Sequence, residues 1–198
     1  MKLIIIPGAY SSHISWCYFE QEMPDDIERI FLDYNPENPL EDIIKSFTEI
    51  LSKIDDNLIV VGHSLGGIIA LNLSNQCSNI KKVITNASPF GGILISRWMV
   101  YVSLIITPFN NIWSNTHADN SFLTCLRNKN PKVETKVFIV ETQNSTMWWE
   151  PSDGIVTVAS QKALGKQANI EYKFISGTHA DAMLHPDFIS YVAKIIKS

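Results

Sequence analysis

Residues 58–73, LIVVGHSLGGIIALNL, decide the fold of this chain. The apolar run 58–61 predicts a buried strand, and the apolar run 68–73 predicts a helix. Between them lies Gly62-His63-Ser64-Leu65-Gly66, a G-x-S-x-G motif in the strand-to-helix context that it requires. The glycines leave room for a tight turn that projects the Ser64 hydroxyl above the sheet, beside helix N–H groups that favour negative charge. The motif therefore indicates a nucleophilic serine, the alternative being a serine that only caps the helix.

The rest of the chain alternates between short apolar runs and amphipathic segments. Continuous apolar runs predict buried strands at 3–6, 29–32, 58–61, 82–85, 136–140 and 171–175. Helical spacing of apolar residues predicts helices at 15–23, 40–54, 65–76, 156–165 and 186–196. This alternation predicts an α/β protein with one mostly parallel sheet of about six strands and helices on both faces. The length of 198 residues fits a single domain, 1–198.

Charge and composition argue against nucleic acid as a partner. The chain has 16 Lys and Arg residues against 20 Asp and Glu residues, a formal net charge of -4, and no block of like charges. This balance offers no electrostatic footprint for nucleic acid. Charged residues make up 18% of the chain, below the roughly 25% typical of globular proteins, so an apolar cleft fits the composition. We therefore expect a small neutral or apolar partner.

The cysteines and the apolar segments predict a cytoplasmic protein without a transmembrane segment. The cysteines are odd in number, widely spaced and free of a C-x-x-C pattern: Cys17, Cys77 and Cys125. They indicate neither a disulfide framework nor a zinc site. The apolar run 3–6 is too short for a signal peptide. The longest later run, 93–107, contains Arg97 and falls short of the roughly 20 residues that a membrane span needs.

Four blocks of sequence follow one another along the chain. They are Ile4-Ile5-Ile6-Pro7-Gly8-Ala9, Gly62-His63-Ser64-Leu65-Gly66-Gly67, Asn86-Ala87-Ser88-Pro89-Phe90-Gly91-Gly92, and Ser152-Asp153-Gly154-Ile155-Val156 paired with Gly177-Thr178-His179. In this order they resemble the α/β-hydrolase superfamily, and within it the small lipases and esterases. Pro7 stands where the family usually has histidine, but the backbone N–H groups of this loop remain available. The resemblance spans nearly the whole chain and implies an α/β-hydrolase fold with a near-minimal sheet.

The resemblance implies a catalytic triad in the chain order serine, acid, histidine. Asp153 lies on the loop after the fifth predicted strand, where the acid is expected, although it could instead be an N-cap together with Ser152. His179 comes four residues after the last predicted strand, at the sheet edge where ligands bind. We assign Ser64 as nucleophile, His179 as base and Asp153 as the carboxylate that orients the base.

The other histidines compete for the role of base. His185 also follows the acid and the last strand, and it stays an alternative although it precedes a helix start. His13 lies in the first loop, His63 in the elbow, and His117 in a segment that precedes the acid. We expect these three to have other roles, with His117 on the surface.

Two backbone N–H groups are expected to form the oxyanion hole. The family uses the N–H of the residue after the nucleophile, here Leu65, and one from the first loop. In this chain the expected loop donor is Ala9. Tyr10 is the alternative, because the sequence leaves open by one residue where the Pro7-Gly8 turn places its N–H groups. Tyr10 is also a candidate for contact with the substrate.

The implied activity is hydrolysis of a carboxylic ester through an acyl-enzyme on Ser64, with no metal and no organic cofactor. The expected partner is a small-molecule ester or acyl substrate. Amides, thioesters and acyl transfer use the same groups and stay open as alternatives. A non-catalytic binding protein on the same scaffold is a further alternative.

Residues 92–130 form an insertion between the fourth and fifth predicted strands. Its first part, from residue 92 to about residue 115, is unusually apolar. We expect this part to be a cap over Ser64 that supplies an apolar acyl site, with Trp98 and Met99 against the substrate. The alternatives are a buried helix packed on the sheet and a surface that contacts a partner or a lipid membrane.

Overall fold

A computed structural model describes residues 1–93, 111–142, 146–147 and 149–197. Its strands are β1 (Lys2–Ile6), β2 (Glu28–Phe31), β3 (Leu58–His63), β4 (Ile80–Asn86), β5 (Glu134–Glu141), β6 (Thr146–Met147), β7 (Glu150–Pro151) and β8 (Ile170–Ser176). Its α-helices are α1 (Cys17–Gln21), α2 (Leu40–Leu51), α3 (Leu65–Gln76), α4 (Ile112–Thr116), α5 (Ser121–Asn128), α6 (Val158–Gln161) and α7 (Pro186–Ile196). Short 3₁₀ helices lie at His13–Trp16 and Ala182–Leu184.

Six of the strands form one parallel sheet in the order β2-β1-β3-β4-β5-β8. All six lie where apolar runs predicted them, so the predicted sheet is confirmed. Every residue of the central strand β3 is buried, whereas β2 at the edge has no buried residue. Because all six strands run in one direction, the loops after their carboxyl ends gather at one edge of the sheet.

The core has two layers, one on each face of the sheet. Side chains alternate between the faces along a strand, so Ile4 and Ile6 of β1 belong to one layer and Leu3 and Ile5 to the other. The first layer is completed by α2, α3 and α5, and the second by α1 and α7. The prediction of helices on both faces is therefore confirmed.

Some helices differ from the sequence prediction in length. The helix predicted at 156–165 is only the four-residue α6, and it starts two residues late because the Thr157 side chain accepts the Ser160 N–H and caps it. The segment predicted at 15–23 divides into a 3₁₀ turn and α1. Helices α4 and α5 and the antiparallel hairpin of β6 and β7 were not predicted, since each is short or weakly patterned.

The predicted cap falls largely outside the described residues, because residues 94–110 are not among them. Trp98 and Met99 lie in that stretch, so their contact with substrate stays a prediction. In the described part of the insertion, Leu123 and Leu126 of α5 join the layer formed with α3. None of the described helices is long and apolar enough to cross a membrane.

Asn115 on α4 ties the insertion to the main domain. Its side chain is buried, and Oδ1 accepts the Leu40 N–H of α2 at 3.0 Å. Its Nδ2 donates to the Asn38 carbonyl oxygen at 2.8 Å. Helix α2 begins after Pro39, which has no side-chain cap of its own. A residue 75 positions away therefore accepts a backbone N–H that has no partner within the first turn of α2.

Replacement of Asn115 by alanine should destabilise the protein by about 1 to 3 kcal/mol, because the buried Leu40 N–H and the partly buried Asn38 carbonyl lose their partner. Urea unfolding of the purified variant measures the change. The matched control is Ser114→Ala on the exposed side of the same helix, which should shift the free energy of unfolding by less than about 0.5 kcal/mol. Equal stability of both variants would contradict the capping role.

Candidate active site

Ser64 occupies a strained turn between β3 and α3. Its backbone has φ 52° and ψ -123°. Residues other than glycine rarely adopt a positive φ, because the Cβ atom then crowds the backbone. The Ser64 N–H donates to the Asn86 carbonyl oxygen on β4 at 2.9 Å, and the Gly67 N–H donates to the Ser64 carbonyl oxygen at 3.0 Å. These bonds hold the turn in place despite its strain.

Glycines around Ser64 are required by close backbone contacts. A Cβ added to Gly62 would lie 2.5 Å from the Gly66 carbonyl oxygen. A Cβ on Gly66 would overlap the carbonyl oxygens of Ile6 and Pro7. The start of α3 therefore packs directly against β3 and the end of β1, as the G-x-S-x-G pattern predicts.

Ser64, His179 and Asp153 form a continuous chain of hydrogen bonds. The Ser64 hydroxyl and His179 Nε2 are 3.0 Å apart, and His179 Nδ1 and Asp153 Oδ2 are 2.7 Å apart. Asp153 is 1% exposed and His179 8% exposed. The structure thus brings together the three residues to which the sequence analysis assigns nucleophile, base and acid.

The Asp153 carboxylate is buried but well supplied with donors. Its Oδ1 accepts the N–H groups of Ile155 at 2.9 Å and Val156 at 2.7 Å. Asp153 therefore stabilises its own turn, which lies before the helix, while its other oxygen faces His179. The helix that follows is capped by Thr157.

Gln161 supports this arrangement, and no sequence pattern predicted its role. It is fully buried on α6, and its Nε2 lies 3.4 Å from Asp153 Oδ2. The same amide pairs with both backbone groups of Val140 at the end of β5, at 2.8 and 2.9 Å. A lone glutamine in a short helix carries no local signal for such a role.

Three of the competing histidines have partners elsewhere. His185 Nδ1 accepts the Asp187 N–H at 3.1 Å and caps α7. His117 Nδ1 accepts the Asp119 N–H at 3.2 Å, and His13 Nε2 lies 2.6 Å from a carboxylate oxygen of Glu20. The geometry thus favours His179 over His185 as the partner of Ser64.

The two segments that are expected to supply oxyanion donors, the start of α3 and the first loop, both lie next to Ser64. Leu65 is the first residue of α3, so no residue within the helix accepts its N–H. Residues 8–11 form a turn in which the Ser11 N–H donates to the Gly8 carbonyl oxygen at 3.1 Å. A Cβ on Gly8 would lie 3.2 Å from Ser64 Cβ, so this turn lies against the serine.

The turn has Ala9 at its second position and Tyr10 at its third. Tyr10 has φ 58°, as the third residue of a type II turn requires, and its side chain is 66% exposed. Its hydroxyl lies 3.4 Å from a Glu37 carboxylate oxygen. Ala9 is therefore the residue of this turn whose backbone conformation suits proline.

His63 is the other histidine of the site, and the sequence predicted no role for it beyond its place in the elbow. Its ring is buried, and Nε2 lies 2.9 Å from the His179 carbonyl oxygen. Burial, and to a smaller extent the nearby His179, lowers the pKa of His63 from 6.5 to about 3. His63 is therefore neutral at ordinary pH.

The fold and the site together define an α/β protein with a serine, a histidine and a carboxylate hydrogen-bonded in series at the carboxyl edge of its sheet. The alpha/beta hydrolase family model matches residues 3–189, and the chain belongs to that family. No curated protein sequence matches the chain.

Solved structures with the same fold include enzymes of several names. A monoacylglycerol lipase from Paleococcus ferrophilus has a TM-score of 0.72 at 12% identity, covering 98% of this chain and 91% of that one. A lipase-esterase related protein from Clostridium acetobutylicum has 0.65 at 15%, covering 99% and 93%. A thioesterase from the prodiginine pathway of Streptomyces coelicolor has 0.59 at 10%, covering 98% and 88%. At these identities the likeness establishes the fold alone.

The low pKa of His63 predicts a loss of stability in acid. The unfolded chain binds a proton at this residue below about pH 6.5, whereas the folded chain does so only near pH 3. This contribution to stability is complete above pH 6.5 and declines by about 1.4 kcal/mol per pH unit as the pH falls from there. Urea unfolding at pH 7.5, 6 and 5 should show a steeper decline for wild type than for His63→Gln. Parallel profiles would contradict a neutral buried imidazole.

Proposed function

We propose that this protein is a serine hydrolase that cleaves carboxylic esters through an acyl-enzyme on Ser64. The observation that carries the proposal is the hydrogen-bonded series Ser64, His179 and Asp153, at 3.0 and 2.7 Å. A serine hydroxyl is a weak nucleophile unless a positioned base takes its proton. The strained turn exposes that hydroxyl beside a helix N-terminus, where a developing oxyanion is stabilised.

In the proposed reaction His179 accepts the Ser64 proton as the serine oxygen attacks the ester carbonyl. Asp153 holds the imidazole through Nδ1 and stabilises the imidazolium that forms. The N–H groups of Leu65 and Ala9 donate to the carbonyl oxygen as it becomes an oxyanion. His179 then gives its proton to the departing alkoxide. A water molecule deprotonated by His179 hydrolyses the acyl-enzyme and restores Ser64.

The proposed substrate is a small-molecule ester, and the reaction needs neither a metal nor an organic cofactor. Thioester and amide hydrolysis are the second candidates, since a thioesterase shares the fold and the same groups serve both reactions. We propose a cytoplasmic location, because Cys17, Cys77 and Cys125 are all free thiols. Contact with a lipid surface through the insertion is proposed only from its apolar sequence.

The nucleophile and the base can be tested together. A fluorophosphonate probe should label the wild-type protein once, and both Ser64→Ala and His179→Ala should abolish rapid labelling, because the serine reacts only with its base in place. Turnover of chromogenic esters of increasing acyl length should fall in parallel, and Asp153→Asn should lower it by about 10⁴-fold.

Two control variants locate the effect. Ser114→Ala should label as wild type does, and His185→Ala should lose stability but keep its labelling rate. Labelling that survives Ser64→Ala would refute the nucleophile, and loss at His185→Ala alone would transfer the role of base to His185. Circular dichroism of each variant verifies folding.

The first-loop donor can be tested by Ala9→Pro. Proline fits the second position of a type II turn, so the fold should be retained, and its ring replaces the Ala9 amide hydrogen with a methylene group. If that N–H faces the oxyanion, kcat should fall about 100- to 1000-fold with little change in KM. Retained kcat in a folded variant would assign the role to the Tyr10 N–H instead. Tyr10→Gly, which keeps the N–H and relieves the left-handed strain, is the control.

A further inference from the structure

We propose that His63 is a positioning residue for catalysis, and that it holds the backbone of His179 so that the His179 imidazole meets Ser64. This inference rests on the proposed function. His63 ends β3 and directly precedes Ser64, so one short segment carries both the nucleophile and the group that binds the base loop. The contact joins residues 116 positions apart.

The hydrogen bond fixes the tautomer of His63. A backbone carbonyl can only accept, so the proton of the neutral ring must lie on Nε2, which donates to the His179 carbonyl oxygen at 2.9 Å. Nδ1 then carries a lone pair and faces the first loop, since a Cβ on Gly8 would lie 2.7 Å from it. The ring therefore stands between the first loop and the base.

The backbone of His179 is held from two sides. Its N–H donates to the Asp153 carbonyl oxygen at 2.9 Å, and its carbonyl oxygen accepts from His63. The first contact fixes His179 relative to the acid, and the second fixes it relative to the nucleophile. Farther along the same loop, Asn86 Nδ2 donates to the Ala182 carbonyl oxygen at 2.7 Å. The base thus depends on backbone anchors as well as on Asp153.

The surroundings of His63 suit a neutral donor. Trp16 packs at 6.4 Å between ring centroids and His179 at 4.9 Å. The Asp153 carboxylate is paired with the His179 ring. A positive charge on His63 would oppose the imidazolium that forms on His179 during the attack. A neutral N–H donor anchors the loop without this repulsion.

The test compares His63→Gln with His63→Met. Both side chains are flexible and similar in size, but only the glutamine amide can place a donor near the position of Nε2. We expect His63→Met to lower kcat and the fluorophosphonate labelling rate by about 10- to 100-fold, because small misplacements of a catalytic group have effects of this size. KM should change by less than about 3-fold, and His63→Gln should stay within about 3-fold of wild type in both rates.

A second variant, His63→Asn, carries the same amide as glutamine but is too short to reach the His179 carbonyl oxygen. It should resemble His63→Met, and rates are expressed per folded molecule from urea unfolding curves. Equal rates for the glutamine, methionine and asparagine variants would overturn the positioning role, as would a change confined to KM. A wild-type protein that neither labels nor turns over any ester would instead overturn the proposed function, and this inference with it.

Discussion

The structure depends most on the close approach of α3 to β1 and β3 around Ser64. Gly62 and Gly66 allow this approach, because a Cβ at either place would meet backbone atoms of the neighbouring segment. The approach forces Ser64 into a left-handed backbone conformation and directs the N-terminus of α3 toward the Ser64 hydroxyl. One packing constraint therefore exposes the hydroxyl and provides N–H groups for negative charge. The strain is held by hydrogen bonds to β4 and within the first turn of α3.

A second requirement is that a carboxylate be buried beneath the histidine. Burial of a charge is unfavourable unless donors replace the lost water. Two N–H groups of its own turn, the His179 ring and the Gln161 amide supply these contacts to Asp153. Gln161 in turn is bound to the end of β5, so the acid loop is attached to the rigid sheet. Asp153 and His179 are thus positioned by the sheet rather than by flexible loops alone.

The fold leaves substrate choice to the segments that surround this centre. The same fold is shared by proteins described as a monoacylglycerol lipase, a lipase-esterase related protein and a thioesterase. Their common feature is the scaffold, and a scaffold does not determine a substrate. In this chain the insertion between β4 and β5 is attached to the domain through Asn115, which binds the start of α2.

The sequence by itself determined the sheet, the elbow and the order of the three polar residues. Continuous apolar runs indicate strands that are buried on both faces of a sheet. The G-x-S-x-G motif indicates a turn that has no room for side chains at its two glycines. Both features are therefore visible in local sequence patterns. Only the tertiary structure revealed the contacts of Gln161, Asn115 and His63. Their partners lie 8 to 116 positions away, on loops whose meeting depends on how the whole sheet is ordered. Hydrogen bonds between distant loops leave no periodic pattern in the sequence. They depend on which backbone N–H and carbonyl groups still lack a partner once the chain has packed.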